Sequence, residues 1–565
     1  MKNFTLLIYS LLITIGAYAQ AEVFSNITQF GIGSTQIDAG QSGIYDSEGN
    51  MIIYGSFKGN LDFDPSANNN ELNPLGTPDL FVAKYDQAGG LLWAFNLGRI
   101  SLNNGMDADG VTIDSNNNIC IAGSFSNTVN FNPLGSPIQK VSAGGKDAFL
   151  AKYNSDGQLT WVNTFGSLFF DYGSALHVDA DDNIFYGLRY NGDVDVDPSA
   201  NNVVLNPQSG ATDAALIKYN SQGEYVWSFE VSTPNNDDIT AIKSAQNGKI
   251  ALGAMTNGSL SGIPQSDMKM FVLNADGSLD WEYNFDNSDN SNEISCFHFA
   301  DGGESLYVAG RIQGDTDFDP DQGNEFIIQP LFADPFFAKY DLVNQSLIWA
   351  RYIESGGIED YVSGIIESGS ALLALGSFDN VAIFNPGDFT SQIASQGEMD
   401  IYMAAYDKAT GNFMEARTFG GSGSEFARDA YFNPNGNVLA IGSYSGSLSL
   451  DTDAAPISSN GFTDIFFAEF SFQTNLSDGI LSAHSADIMI YPVPASSTIG
   501  LEVPDHAVYP IEIKIISIVG KVVKELRIDN ASKLDNIDIS SLKTGVYILD
   551  INMAGQRISK RIVKN

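Results

Sequence analysis

At 565 residues the chain exceeds the size at which a single hydrophobic core usually stops growing, so two or more domains are expected. Its 68 acidic against 28 basic residues, a formal net charge of −40, argue against a nucleic-acid partner or an anionic lipid surface, because both need cationic contacts. Two cysteines cannot build a disulfide framework, so stability has to come from packing. The charge is also uneven: residues 485–565 hold 10 Lys and Arg against 9 Asp and Glu, which leaves the acidity to the rest of the chain.

The chain starts with a charge at Lys2, an apolar run from Phe4 to Ile15 and then Ala17-Tyr18-Ala19. This is the layout of a secretory signal peptide over residues 1–19, cleaved after Ala19. The run is broken by Tyr9, Ser10 and Thr14 and is too short for a transmembrane helix. No later segment is long and apolar enough to span a bilayer, and no Cys stands directly after the cleavage site to carry a lipoprotein anchor, so a soluble, monomeric exported protein is expected.

From residue 20 to 470 the organising feature is a repeat. An apolar strand ending in Gly recurs at Ile52-Ile53-Tyr54-Gly55, Cys120 to Gly123, Ile184 to Gly187, Ile250 to Gly253, Tyr307 to Gly310, Leu373 to Gly376 and Leu439 to Gly442. Successive glycines lie 68, 64, 66, 57, 66 and 66 residues apart, so each unit must hold several strands. Asp79 to Tyr85 recurs as Asp147 to Tyr153, Asp213 to Tyr219, Asp334 to Tyr340 and Asp400 to Tyr406. A tight Gly-bearing turn such as Ser155-Asp156-Gly157 follows, then a strand centred on Trp93, Trp161, Trp227, Trp281 or Trp349. Four antiparallel strands per unit and no amphipathic helix predict an all-β, seven-bladed β-propeller, with the tryptophans packing blade against blade.

The seventh unit ends at Ala468-Glu469-Phe470 without a Trp-type strand. The segment Val23 to Gly31 matches Leu159 to Gly166, the outer strand of the second unit. The N-terminus is therefore expected to supply the missing strand and close the ring, which removes an exposed sheet edge. The repeats also resemble the bacterial seven-bladed β-propeller repeat family, through Gly123-Ser124-Phe125, Phe337-Ala338-Lys339-Tyr340 and Gly157 to Trp161. That resemblance covers about 450 residues and implies a fold without implying an activity. The fourth unit departs most, with Phe271-Val272-Leu273-Asn274 in place of the Lys-Tyr ending.

Residues 471–487 are small and polar, a linker by composition. Beyond them, β-rich runs at Ile488–Tyr491, Ile511–Ile518, Val522–Ile528, Gly545–Ile551 and Arg557–Val563 predict a small Ig-like β-sandwich over 488–565. Tyr491-Pro492-Val493-Pro494-Ala495, Gly520 to Val523, Ile537 to Tyr547 and the basic end Lys560 to Lys564 resemble the type IX secretion C-terminal sorting domain of Bacteroidota. Val493 replaces that family's usual Asn. The resemblance implies engagement with the type IX machinery, removal of the domain, and release from or attachment to the outer surface.

Chemistry has few footholds. The polar loop after the Gly strand carries Asp62-Phe63-Asp64-Pro65-Ser66, Asn130-Phe131-Asn132-Pro133, Asp195-Val196-Asp197-Pro198-Ser199, Asp317-Phe318-Asp319-Pro320-Asp321 and a weaker Phe384-Asn385-Pro386. Oxygen donors at positions 1, 3 and 5 make Asp62, Asp64, Asp195, Asp197, Asp317, Asp319 and Asp321 candidate ligands for Ca²⁺. The Gly at position 6 and the Glu at position 12 of a full calcium loop do not recur, so capping of the turn before Pro is the competing reading. In a propeller these loops and the links between blades emerge on one face, which is expected to be an acidic ring and the binding surface. His177 and His298 stand alone within strands, without ligand spacing, and read as structural; His484 and His506 lie beyond the repeats. Cys120 and Cys296, on different blades, are expected as buried free thiols. No nucleophile turn or phosphate loop is seen, so the expectation is a surface-displayed or secreted binding or scaffold module for glycan or protein, not an enzyme. The alternative is an extracellular polysaccharide hydrolase or lyase using loop carboxylates.

Overall fold

The computed structural model describes residues 24–98, 105–258, 267–285, 292–450, 456–472 and most of 489–564, with single residues and short runs inside these ranges left out. The expected signal peptide and most of the expected linker lie outside them. The chain divides into two units, Met1–Thr474 and Asn475–Asn565. Among the described residues, no helix is long and apolar enough to cross a membrane.

The first unit is all β and propeller-like. Its described residues form five four-stranded antiparallel sheets, one nine-stranded sheet and four two-stranded hairpins. In the sheet formed by Asp107–Ile113, Ile119–Phe125, Asp147–Tyr153 and Leu159–Phe165, the strands pair in chain order, the first two and last two joined by short turns and the middle two by the polar loop that carries the hairpin Thr128–Asn130/Gln139–Val141. The cores lie between sheets. Ile52, Val82 and Phe95 pack with Ile119, Phe149 and Tyr153 of the next sheet, and Leu439, Ile441, Ile465 and Phe467 pack back onto Ile53, Phe57 and Phe81. The last sheet thus packs against the first. It also takes its outer strand from the N-terminus, since Phe24–Ile32 pairs antiparallel with Ile457–Phe472 in the register Phe30↔Phe467 and Ile32↔Ile465, as the sequence match predicted.

The repeated residues each have a mechanical reason. The Lys-Tyr ending anchors two loops at once. The hydroxyls of Tyr85, Tyr153, Tyr219, Tyr340 and Tyr406 donate to the carbonyls of Phe63, Phe131, Val196, Phe318 and Phe384 at 2.8 to 2.9 Å, pinning the polar loop of the same unit. Lys84 pairs with Asp46 at 2.8 Å and Lys152 with Asp114 at 2.8 Å, all four side chains being nearly inaccessible. The same ammonium groups donate to Ser155 O and Ser221 O in the turn of the following unit. Burial alone would raise the Asp46 carboxyl, but hydrogen bonds from Lys84 and Asn50 outweigh it and hold the group below its usual range.

Two kinds of Gly are fixed by close approach. A Cβ on Gly55, Gly123, Gly310, Gly376 or Gly442 would lie 1.8 to 2.4 Å from a backbone carbonyl of the neighbouring inner strand, that of Ala39, Asp107, Glu293, Tyr361 or Phe426. The turn glycines Gly157, Gly223, Gly277 and Gly411 have φ between +70° and +84°, and each lies under the indole of the preceding unit's Trp93, Trp161, Trp227 or Trp349. The tryptophans are therefore packing residues, and Trp93 and Trp227 also donate their N–H to carbonyls of the next turn at 3.2 Å.

The second unit forms a three-stranded sheet (Met489–Tyr491, Thr498–Glu502, Ile537–Asp538) and a four-stranded sheet (Val522–Ile528, Ile511–Ser517, Gly545–Met553, Gln556–Lys564). Ile511, Ile513 and Ile515 are buried while Lys514 is exposed, the alternation of a half-covered strand. Thr498–Glu502 and Ile537–Asp538 are additional to the five expected strands. Pro492 to Ala495, with the departing Val493, lies outside the described residues.

Candidate functional site

The expected loop carboxylates are engaged in their own turns. Asp62 Oδ1 accepts the N–H groups of Asp64 (3.0 Å) and Asn70 (2.8 Å), and Asp64 Oδ1 accepts that of Ser66 (2.9 Å). Asp195 does the same for Asp197 and Val203, and Asp197 for Ser199. Asp317 accepts from Asp319 and Phe326, Asp319 from Asp321, and Asp321 from Gly323. Asn130 holds the equivalent pair, Asn132 and Ile138, without any charge. Among the described residues no three His, Cys, Asp or Glu side chains converge as a metal set.

The larger feature is a central cavity of about 1180 Å³ lined by the inner strand of each four-stranded sheet of this unit and by two strands of the nine-stranded sheet, Tyr361–Ser368 and Glu425–Phe432. Each inner strand carries a β-bulge at its middle, between Gly40 and Ser42, Ala108 and Gly110, Gly173 and Ala175, Ile239 and Ala241, Ile294 and Cys296, Val362 and Gly364, and Ala427 and Asp429. A bulge inserts one unpaired residue and re-aims its side chain. The inserted residues, Gln41, Asp109, Ser174, Thr240, Ser295, Ser363 and Arg428, are all polar, and all line the cavity. The bulge also explains the landmark glycines, whose neighbouring carbonyls belong to these same inner strands.

Charged groups converge at the end where the inner strands begin. Lys146 pairs with Asp107, and Arg189 Nη1 lies 3.0 Å from Asp238 Oδ2, its guanidinium stacked 4.6 Å from the centre of the Tyr172 ring. Asp109 sits among them. Burial, then the charges of Asp107 and Asp238, push its carboxyl well above the usual range, and its Oδ2 is buried without a hydrogen-bond partner. Burial likewise raises Glu293, against the attraction of Arg311, whose Nε is also without a partner. Further along, Ser42 Oγ donates to Asp429 Oδ2 at 2.6 Å, and burial raises the Asp429 carboxyl despite that bond.

The sequence reading did not name these channel residues. Cys120 is buried as expected, but Cys296 is half-buried because it faces the channel; burial pushes both thiols up to about 12, so neither is a ready nucleophile. His177, read as structural, also lines the channel, with Nε2 at 2.8 Å from Ser244 Oγ. The available signal was a polar residue at nearly constant spacing before each landmark Gly.

The chain is thus a propeller-like β protein that carries a sorting domain for export. Residues 489–565 match the family described as the secretion system C-terminal sorting domain, which indicates type IX secretion to the cell surface or beyond. Among curated proteins, an uncharacterized WD repeat-containing protein of Acanthamoeba polyphaga mimivirus is 27% identical over 199 residues, covering 31% of this chain and 14% of that one. The regulatory protein FlaEY of Caulobacter vibrioides is 25% identical over 187 residues, covering 32% and 19%. The chain matches less than a fifth of the length of these relatives. Among solved structures, the β-propeller domain of the Trilobed protease from Pyrococcus furiosus is similar with a TM-score of 0.37 and 8% identity, over 80% of this chain and 99% of that one.

Proposed function

We propose that the first unit is a seven-bladed β-propeller, exported by a signal peptide over residues 1–19 and delivered through an Ig-like sorting sandwich at 488–565. At the cell surface or in the medium it works as a monomeric binding module for an extracellular glycan or protein. The observation that carries this reading is the ring of polar bulge residues in a cavity of about 1180 Å³, with Asp109 Oδ2 and Thr240 Oγ1 buried and without partners. A buried polar atom without a partner is costly, and a hydroxyl-rich ligand supplies the missing bonds. A second reading, polysaccharide hydrolase or lyase, is favoured by one feature: Asp109, raised by burial beside Asp107 and Asp238, has the environment of a general acid. Incubating the full mature chain with a panel of polysaccharides separates the two. Retention without cleavage is expected. Product release that Asp109→Asn abolishes would instead establish the enzyme.

The loop carboxylates serve in this proposal as turn caps, with Ca²⁺ as the alternative occupant. If Ca²⁺ binds, a hundredfold excess over Kd stabilises by about 2.7 kcal/mol. A chelator then lowers Tm, and the Asp317→Asn/Asp319→Asn variant loses part of that response while Asn130→Ala keeps it. For turn caps the expected result is a Tm unmoved by chelator or added calcium, with no metal found by elemental analysis.

A further inference from the structure

The channel changes character along its axis. The third residue after each bulge lines the cavity, and on three consecutive inner strands that residue is His177, Lys243 and His298. The other four inner strands place Ile44, Thr112, Ile366 and Tyr431 at this level. The result is a basic arc across three neighbouring sheets, opposite an apolar and weakly polar wall.

The Lys243 ammonium has no hydrogen bond or ion pair among the described residues, and Asp429 attracts it only electrostatically. The carboxylates around this level are already engaged. Asp429 accepts from the Ser42 hydroxyl at 2.6 Å and the Gly43 N–H at 3.3 Å, and Glu367 accepts from the Tyr307 hydroxyl at 2.8 Å and pairs with Lys408 at 3.5 Å. In a chain with 68 acidic residues for 28 basic ones, a channel lysine without a carboxylate in hydrogen-bond contact runs against composition. Burial lowers its ammonium, against the opposing pull of Asp429 and Cys296. Burial and then the Lys243 charge hold His177 well below its usual range and His298 at about 4, so both imidazoles are neutral and each has an N–H to donate. At the other end of the inner strands Asp107 and Asp238 are paired with Lys146 and Arg189.

We infer that the arc of His177, Lys243 and His298 seats an oxyanion, a carboxylate or sulfate carried by the channel's ligand. The inference rests on the channel being the binding site. The anion takes a charge-assisted bond from Lys243 and a bond from a neighbouring imidazole N–H, and its charge offsets the Lys243 field that adds to burial in keeping the histidines neutral.

The test is a titration of the full mature chain with sodium glucuronate and, separately, sodium sulfate at constant ionic strength, with glucose as the neutral control, following the histidine ring signals by NMR. Both anions are expected to raise the His298 pKa from about 4 while glucose does not. Lys243→Gln should weaken anion binding by roughly tenfold or more and remove the histidine shift, whereas Lys243→Arg should keep both. Tighter binding of glucuronate than of sulfate assigns the site to an acidic saccharide, and equal binding to a free oxyanion. Histidine signals unmoved by either anion, or a Lys243→Gln chain that binds as wild type, overturn the inference. If Lys243→Gln still retains a polysaccharide at wild-type affinity, the oxyanion seat falls and the binding module stands. If wild type retains no polysaccharide yet takes sulfate at Lys243, the reverse holds.

Discussion

Deleting residues 20–31 is expected to lower Tm by about 10 °C or more and to shift the protein toward aggregates on gel filtration. The deleted segment contains all but the last residue of Phe24–Ile32, which pairs along Ile457–Phe472 from Phe24↔Phe472 to Ile32↔Ile465. Without it, Ile457–Phe472 becomes an open edge whose inward residues Ile465, Phe466 and Phe467 belong to two cores, one shared with the first sheet. The ring then depends on face-to-face packing alone at its one junction between chain ends. A truncated chain that melts with wild type would show that this strand closes nothing.

That closure could be read from the sequence because Val23 to Gly31 repeats the pattern of an outer strand already seen elsewhere in the chain. The residues that recurred most legibly are those with the same contact in successive units. Tyr85 and its equivalents hold a loop carbonyl, Lys84 bridges to the next turn, and Trp93 covers the next turn's Gly157. The channel residues face open space instead of a repeated partner, so nothing forces Gln41, Asp109, Ser174 and Arg428 to resemble one another. What they share is the bulge, a backbone property that leaves only a faint mark in sequence. The merging of the last sheets was hidden for a related reason. Ala371–Ile383 and Gln392–Asp407 run on through the region that is a separate short hairpin in four earlier units, and this is where the Asp-x-Asp-Pro pattern thins to Phe384-Asn385-Pro386. Thr498–Glu502 and Ile537–Asp538 in the second unit escaped because they are short and lie beside Pro-rich and polar stretches.

Stability is expected to be greatest near pH 4 to 5 and to fall toward pH 8, the opposite of what paired surface carboxylates produce. The cause is a set of buried acids where adjacent sheets meet. The backbone N–H of Asp171 donates to Lys146 O at 2.8 Å, that of Asp237 to Thr212 O at 2.7 Å and that of Asp38 to Thr463 O at 2.8 Å, which sets each acid beside Asp147, Asp213 or Asp464. Asp334 with Asp360, and Asp400 with Glu425, repeat the arrangement. Each of the five pairs has one acid with a buried oxygen that lacks a hydrogen-bond partner: Asp147 Oδ1, Asp213 Oδ1, Asp334 Oδ2, Asp400 Oδ1 and Asp464 Oδ1. Burial first, then the paired carboxyl, raises Asp147, Asp237 and Asp464 to about 6, Asp334 to about 7 and Glu425 to about 8, while burial and then Asp379 raise Asp360 to about 6. Glu354 adds to the rise at Asp334, and Lys269 opposes it at Asp237.

A raised carboxyl binds its proton more tightly folded than unfolded, so unfolding releases protons between about pH 4 and the folded value. Its stabilisation is complete below the unfolded pKa and is lost as pH rises through about 6 to 8. Each such proton contributes about 1.4 kcal/mol per pH unit across its window. With the shifts discounted by about half, several together give a loss on the order of 5 kcal/mol between pH 5 and pH 8, or roughly 5 °C in Tm at this chain length. Below pH 4 the sign reverses, because Asp46 and Asp114, held down by Lys84 and Lys152 against their burial, begin to protonate. Repulsion within a chain of net charge −40 also eases at low pH, but added salt screens that contribution and leaves buried pairs nearly untouched. The slope should therefore persist at high ionic strength. Asp334→Asn/Glu425→Gln should flatten it by about two protons and leave the variant at least as stable as wild type at pH 8. A Tm that is level from pH 5 to 8, or a double variant with the wild-type slope, would mean that these carboxyls are ionised in the fold and that their unpartnered oxygens are satisfied by something other than a shared proton.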